Sequence, residues 1–218
     1  MPLRNLPVIL YITLLSSCRS DTPDIVSPEE TFARVCAACH GEKGEGKREL
    51  NSPSIAGLPE WYLHEQVEKF QNGFRGSHTE DIPGNQMKAI VLSLTGEQLQ
   101  AAISDVAKLE PVLTRVAESG DVDKGRKLYA ENCMICHKFN GEGMAEFHSA
   151  PLTSLNPEYI LRQLRYYKKG WRGESWEDVY GHKMYRALDG LNDQALVDLV
   201  RYIGELAKGD DPRRVMER

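Results

Sequence analysis

Cys36-Ala37-Ala38-Cys39-His40 recurs as Cys133-Met134-Ile135-Cys136-His137, at an offset of 97 residues. The same offset carries Gly44-Glu45-Gly46 onto Gly141-Glu142-Gly143, Leu58 onto Leu155, Tyr62 onto Tyr159 and Gln66 onto Gln163. It also carries Gly73-Phe74-Arg75-Gly76 onto Gly170-Trp171-Arg172-Gly173, and Met87 onto Met184. A long ungapped register of this kind is what duplication of one folding unit leaves behind. Two similar domains are therefore expected at 28–110 and 119–208, with a connector at 111–118 and a polar tail at 209–218.

The C-x-x-C-H spacing has a chemical reason. Two thiols one helical turn apart can each add to a vinyl group on a porphyrin edge, and the imidazole that follows reaches the iron. A zinc centre built from CxxC pairs would need both pairs together, whereas here one lies in each repeat. A redox disulfide of this spacing needs a strand-to-helix turn, and no strand pattern is visible. Two haem c groups are expected, held covalently by Cys36, Cys39, Cys133 and Cys136, with His40 and His137 as proximal ligands.

Each repeat reads as helical, which makes the chain all-α. Ser27-Pro28-Glu29-Glu30 has the form of a capping box leading into Cys36, and Asp121 can cap the helix leading into Cys133. Leu63, Val67 and Phe70 form an i, i+4, i+7 stripe that Ile160, Leu164 and Tyr167 repeat. Thr95 with Gln98, and Asn192 in the second repeat, open a last helix in each unit. About three helices give a thin core for a unit of this size. A large apolar macrocycle would fill it, and the unattached chain is expected to fold poorly.

The second axial ligand decides what such an iron can do. Met87 and Met184 each fall 47 residues after their proximal histidine, in stretches that contain Gly84 and Gly181 and read as loops. Met134 lies inside the attachment motif, on the proximal side. His182 competes with Met184, but its repeat equivalent is Asn85; His64, His78 and His148 have no histidine at the offset and read as surface residues. Met87 and Met184 are the expected ligands. A soft thioether sulfur favours Fe(II) and raises the reduction potential.

Composition narrows the classes further. The chain of 218 residues is 41% hydrophobic and 27% charged but only 8% aromatic, with 18 Gly and 11 Pro, which argues against a β-sandwich and against disorder. Net charge is −5 with no long basic run, so nucleic acid is excluded as a partner. No apolar run reaches the ~20 residues of a membrane span. Residues 1–17 read as a signal peptide, with Arg4 ahead of the apolar run Leu6 to Leu15. Leu15-Ser16-Ser17-Cys18 resembles the bacterial lipoprotein box, which makes Cys18 the lipidation site, residues 18–27 a flexible tether, and the periplasmic side of a membrane the location. Residues 19–111 carry 9 basic and 15 acidic side chains, a balance of −6, while residues 112–218 carry 17 of each. Arg162, Arg165, Lys168, Lys169 and Arg172 form a local basic stretch in the second half.

Taken together, the two attachment motifs, the segments Tyr62 to Gly76 and Tyr159 to Gly173, and the stretches ending in Met87 and Met184 resemble dihaem class I cytochromes c of the cytochrome c4-like type. The resemblance covers nearly the whole mature chain. It implies two tandem cytochrome c domains, each wrapped around one haem and related by a pseudo-twofold axis, and a one-electron carrier in a periplasmic respiratory chain. Its donor and acceptor would be redox proteins, such as a quinol-oxidising complex and a membrane oxidase. The paired Gly-x-Arg-Gly segments make Arg75 and Arg172 candidates for contacts to haem propionates. The rival class is a dihaem enzyme, thiosulfate dehydrogenase- or peroxidase-like, which needs one open or altered distal site; the two matching halves argue for a carrier.

Overall fold

The computed structural model describes residues 26–113 and 115–215. The signal peptide, Cys18 and all of the tether except residues 26 and 27 lie outside that range. In the first half, a 3₁₀ turn at Pro28–Glu30 and a π-helical stretch at Phe32–Cys36 run into α1 (Ala37–His40), followed by α2 (Glu60–Gln71), α3 (Ile82–Ser93) and α4 (Gly96–Ala107). The second half repeats the plan with α5 (Val122–Asn132), α6 (Met134–His137), α7 (Pro157–Lys168), α8 (Val179–Ala187) and α9 (Asp193–Leu206). Even the loops are duplicated. The 3₁₀ turns Arg48–Leu50 and Ala145–Phe147 are clasped by the equivalent isolated bridges Lys47 to Ser52 and Met144 to Ser149. Among the described residues, no helix is long and apolar enough to cross a membrane.

Local chemistry accounts for most helix starts. Thr95 and Gln98 close a reciprocal capping box at α4, Asp121 accepts from the amides of Asp123 and Lys124 at α5, and Asn192 accepts from Ala195 at α9. Ser27 departs from the capping box expected of it. Its hydroxyl donates to the Glu30 carboxylate at 3.2 Å instead of accepting a backbone amide, and the turn that follows is 3₁₀ and then π before it becomes α. A second departure concerns the methionines. Met87 and Met184 stand within α3 and α8, not in loops.

Core packing differs between the halves. In the second, α5 crosses α9 at the bare face of Gly125, where a Cβ would lie 2.1 Å from the Asp198 carbonyl oxygen. Tyr129, Leu196, Leu199, Tyr202 and Ile203 belong to one buried cluster, which also takes in Leu58 and Tyr62 of the first half. In the first half the apolar side chains fall into two separate groups, Phe32 with Ala102 and Val106, and Phe70 with Val91 and Leu99. Ala102 and Val106 of the one and Phe70, Val91 and Leu99 of the other line a single cavity. The thin core expected from the sequence is thus a core with a hole in it.

The halves meet through α2 and α7 in reciprocal fashion. Arg162 donates to the carbonyl oxygen of Asn51 at 2.6 Å, and the His148 Nδ1–H donates to the Glu65 carboxylate at 3.2 Å. Positions 51 and 148, and 65 and 162, are repeat equivalents, so one contact is made twice, as an isologous pairing requires. Ser54 adds a contact without a counterpart, its amide donating to the Asn156 side chain and its hydroxyl to the Ser154 carbonyl.

Candidate metal centres

Among the described residues a cavity opens beside each attachment motif, and each gathers the residues singled out by the repeat. The first, about 300 Å³, is lined by Cys36, Cys39, His40, Met87 and Arg75 among others. The second, about 140 Å³, is lined by Cys133, Cys136, His137, Met184 and Arg172. Most of the remaining lining is apolar, including Val67, Phe70, Val91 and Leu99 in the first and Leu152, Ile160, Leu164 and Leu188 in the second. An apolar slot with a few converging polar groups is the usual form of a cofactor site.

The attachment motifs close the proximal side. Cys36 and Cys133 stand at the N-terminal edge of the single turns α1 and α6, which bring the second cysteine and the histidine round to the cavity. Burial pushes the Cys36 thiol up to about 11 and the Cys133 thiol up to about 12. The histidines are fixed identically: Nδ1 lies 2.9 Å from the Pro53 carbonyl in His40 and 3.0 Å from the Ala150 carbonyl in His137. A carbonyl only accepts, so Nδ1 carries the proton and Nε2 keeps its lone pair for a metal. Burial also holds both imidazoles below their ordinary pKa, which favours the neutral ligand form.

The helices that bring the methionines to the cavity lining, α3 and α8, start at repeated caps. Asp81 accepts from the Gly84 amide at 2.9 Å and Asp178 from the Gly181 amide at 3.0 Å. Glycine leaves each cap undisturbed, since a Cβ would lie 2.0 Å or 1.9 Å from the capping carboxylate and the aspartate would have to shift. Each methionine follows its glycine by three residues. His182 does not contribute to the cavity lining, and its Nδ1–H donates to the Gly173 and Glu174 carbonyls at 3.1 Å. His64 and His78 also stand away from the first cavity, and His78 stacks on Trp171 at 4.1 Å. His148 is exposed, as read from the sequence, but it also lines the second cavity and stacks on Tyr180 at 3.9 Å. The one sequence signal for it was its place at the end of the repeated loop, opposite Asn51.

Between the cavities lies a shared wall of Tyr62, Gln66, Leu155, Tyr159 and Gln163, each of which lines both. Two buried guanidinium groups are set into it. Arg75 donates to Gln66 at 2.9 Å and to the Tyr159 hydroxyl at 3.0 Å; Arg172 donates to Gln163 at 2.7 Å and to Gln66 at 2.8 Å. Burial works against the Arg172 charge, but the hydroxyls of Tyr167, Tyr159 and Tyr62 hold its pKa above the ordinary arginine range. Tyr159, despite its burial, is held below its usual range by Arg75 and Arg172, whereas burial pushes Tyr62 up. All direct partners of both arginines are neutral, and the Arg172 Nε is buried without any partner. Two buried cations at the cavity wall without carboxylate partners fit a cofactor that brings its own carboxylates. The donor set, the apolar lining and these cations therefore fit haem.

The basic stretch of the second half is largely spent on internal contacts. Arg165 pairs with Asp193 at 2.7 Å, Lys168 donates to the Leu191 carbonyl, and Lys169 lies over the Trp171 ring.

Comparison with known proteins agrees with this geometry. The cytochrome c family model matches residues 29–109 and again 122–207. The thiosulfate dehydrogenase electron acceptor of Stutzerimonas stutzeri is 26% identical over 185 residues, 81% of this chain and 82% of that protein. Cytochrome c4 of Azotobacter vinelandii is 30% identical over 161 residues, 67% of this chain and 74% of that protein. The crystal structure of reduced cytochrome c4 from Pseudomonas stutzeri superposes with a TM-score of 0.65 at 22% identity, covering 83% of this chain and 97% of that one, a likeness of fold. The chain belongs to the cytochrome c family, as a cytochrome c4-like tandem of two helical domains that carries two haem c groups and transfers electrons.

Proposed function

We propose that this protein is a respiratory one-electron carrier in which His40 and Met87 ligate one iron and His137 and Met184 the other. The observation that carries the reading is the composition of the two cavities: each collects a CxxCH motif and the methionine at the same repeat position. Haem c, when bound, supplies one reversible electron at each site. The chain's own groups set the conditions. Nε2 of each histidine stays available because Nδ1 is held by a carbonyl, and each thioether sulfur favours Fe(II). With His40 and Met87, and His137 and Met184, holding the irons, no position would be left for oxygen, peroxide or a substrate. Arg75 and Arg172 would receive the propionates at the shared wall. Because that wall is one layer of side chains thick, an electron can enter at one domain and leave at the other.

The sequence and the relatives support a reading of location and partners. The apolar leader and Cys18 support export and lipid anchoring on the periplasmic side of a bacterial membrane. Likeness to a protein named as an electron acceptor of thiosulfate dehydrogenase supports a periplasmic dehydrogenase as donor. A membrane oxidase is the natural acceptor for a high-potential carrier of this kind. The oxidised visible spectrum tests the ligation. The weak methionine-to-iron charge-transfer band is expected at an intensity corresponding to two haems; half that intensity would leave one distal site open and favour an enzyme or a sensor.

A further inference from the structure

Asp81 and Asp178 occupy the same repeat position, and each caps the helix that carries its domain's methionine. The group that faces each carboxylate comes from the other domain, and the two groups differ. Lys69, on α2 of the first domain, brings its Nζ to 3.0 Å from Asp178 Oδ1 and 2.8 Å from Glu65 Oε1. Its side chain is 10% exposed and that of Asp178 only 4%. The second Asp178 oxygen is buried without a partner, so this carboxylate depends on Lys69 and the Gly181 amide. Position 166 is the repeat equivalent of Lys69 and holds a tyrosine, whose hydroxyl faces Asp81. Lys69 lines the second cavity, while no lysine lines the first.

We propose that Lys69 is a positioning residue lent by the first domain to the second iron site. Its ion pair with Asp178 fixes the start of the Met184 helix and places a buried positive charge beside that site alone. The inference rests on Met184 being the second iron's ligand. In a low-dielectric interior a fixed cation favours the state that has gained an electron. Without it, Asp178 and Glu65 lose the ammonium that pairs with both, the local charge becomes more negative, and the electron is held less tightly. The duplicated architecture thereby yields two unequal sites from one ligand set.

The test is a spectroelectrochemical titration of the haem-loaded protein, with Met184→His identifying which potential belongs to the second site. Lys69→Met is expected to lower the second potential by about 59 mV, a tenfold change in its Fe(II)/Fe(III) ratio at fixed electrode potential, and to leave the first unchanged. Lys69→Arg, which keeps the charge, should retain both potentials. Asp178→Asn keeps an acceptor for the Gly181 amide while removing the anion, and should raise the second potential; it carries the test if Lys69→Met fails to fold. Tyr166→Phe should leave the second potential in place. Unchanged second potentials in Lys69→Met and Asp178→Asn, or equal shifts of both sites, would overturn the inference while leaving the ligand reading intact. A wild-type charge-transfer band worth one haem would overturn the ligand reading and this inference with it.

Discussion

At the scale of single residues, the proposed ligation rests on four side chains, of which the two histidines are held through Nδ1 by the Pro53 and Ala150 carbonyls. Replacing either thioether by an imidazole changes the ligand field without moving the helix. Met87→His and Met184→His should each lower one reduction potential by roughly 0.1–0.3 V, out of the about 0.8 V that axial ligands command, and leave the other nearly still. A redox titration resolves the two waves. Burial favours the neutral form of His40 and His137 in the folded chain, which is the form a metal needs. All eight covalent and axial candidates could be read from the sequence because duplication repeats each of them. His148 could not, since its role beside the second cavity comes from a turn that ends opposite Glu65 of the other domain.

Among elements, the methionine helices show most clearly how a site is held. Gly173 has φ +75°, and a Cβ there would lie 2.3 Å from the Gly181 carbonyl oxygen, against the first turn of α8. Gly173→Ala should cost about 2 kcal/mol or more through backbone strain and weaken the charge-transfer band of the second haem. Thr95→Ala, which breaks only the capping box of α4, should cost about 1 kcal/mol and leave the spectrum unchanged. Thermal unfolding followed in parallel with the visible spectrum separates the two cases. The sequence showed the caps at Thr95, Asp121 and Asn192 because Ser, Thr, Asp and Asn announce helix starts locally. It misassigned the methionine stretches because Gly84 and Gly181 read as loop residues, whereas here they are the small residues that a buried aspartate cap requires. Ser27 failed for the opposite reason: its motif is present, but its hydroxyl is taken by Glu30.

For the molecule as a whole, the interface of α2 with α7 joins the two domains through a wall that lines both cavities. The sequence repeated Tyr62, Gln66 and Arg75 at 159, 163 and 172 without showing that these positions face one another, because a contact between copies leaves no periodic signal. Arg75→Met would leave Gln66 and Tyr159 without its donated hydrogen bonds. We expect it to slow electron exchange between the haems in pulse radiolysis and to lower the first potential, with little change in the helical spectrum. Charge acts over longer distances. With the basic stretch of the second half engaged internally, the excess of acidic side chains in residues 19–111 is the dominant field, and electron exchange with a basic partner should slow as ionic strength rises. Central to the proposed function is that side chains would close both faces of each iron. Carbon monoxide added to the reduced, untreated protein tests that most directly: no rapid uptake is the expected result, and tight stoichiometric binding at either haem would contradict it.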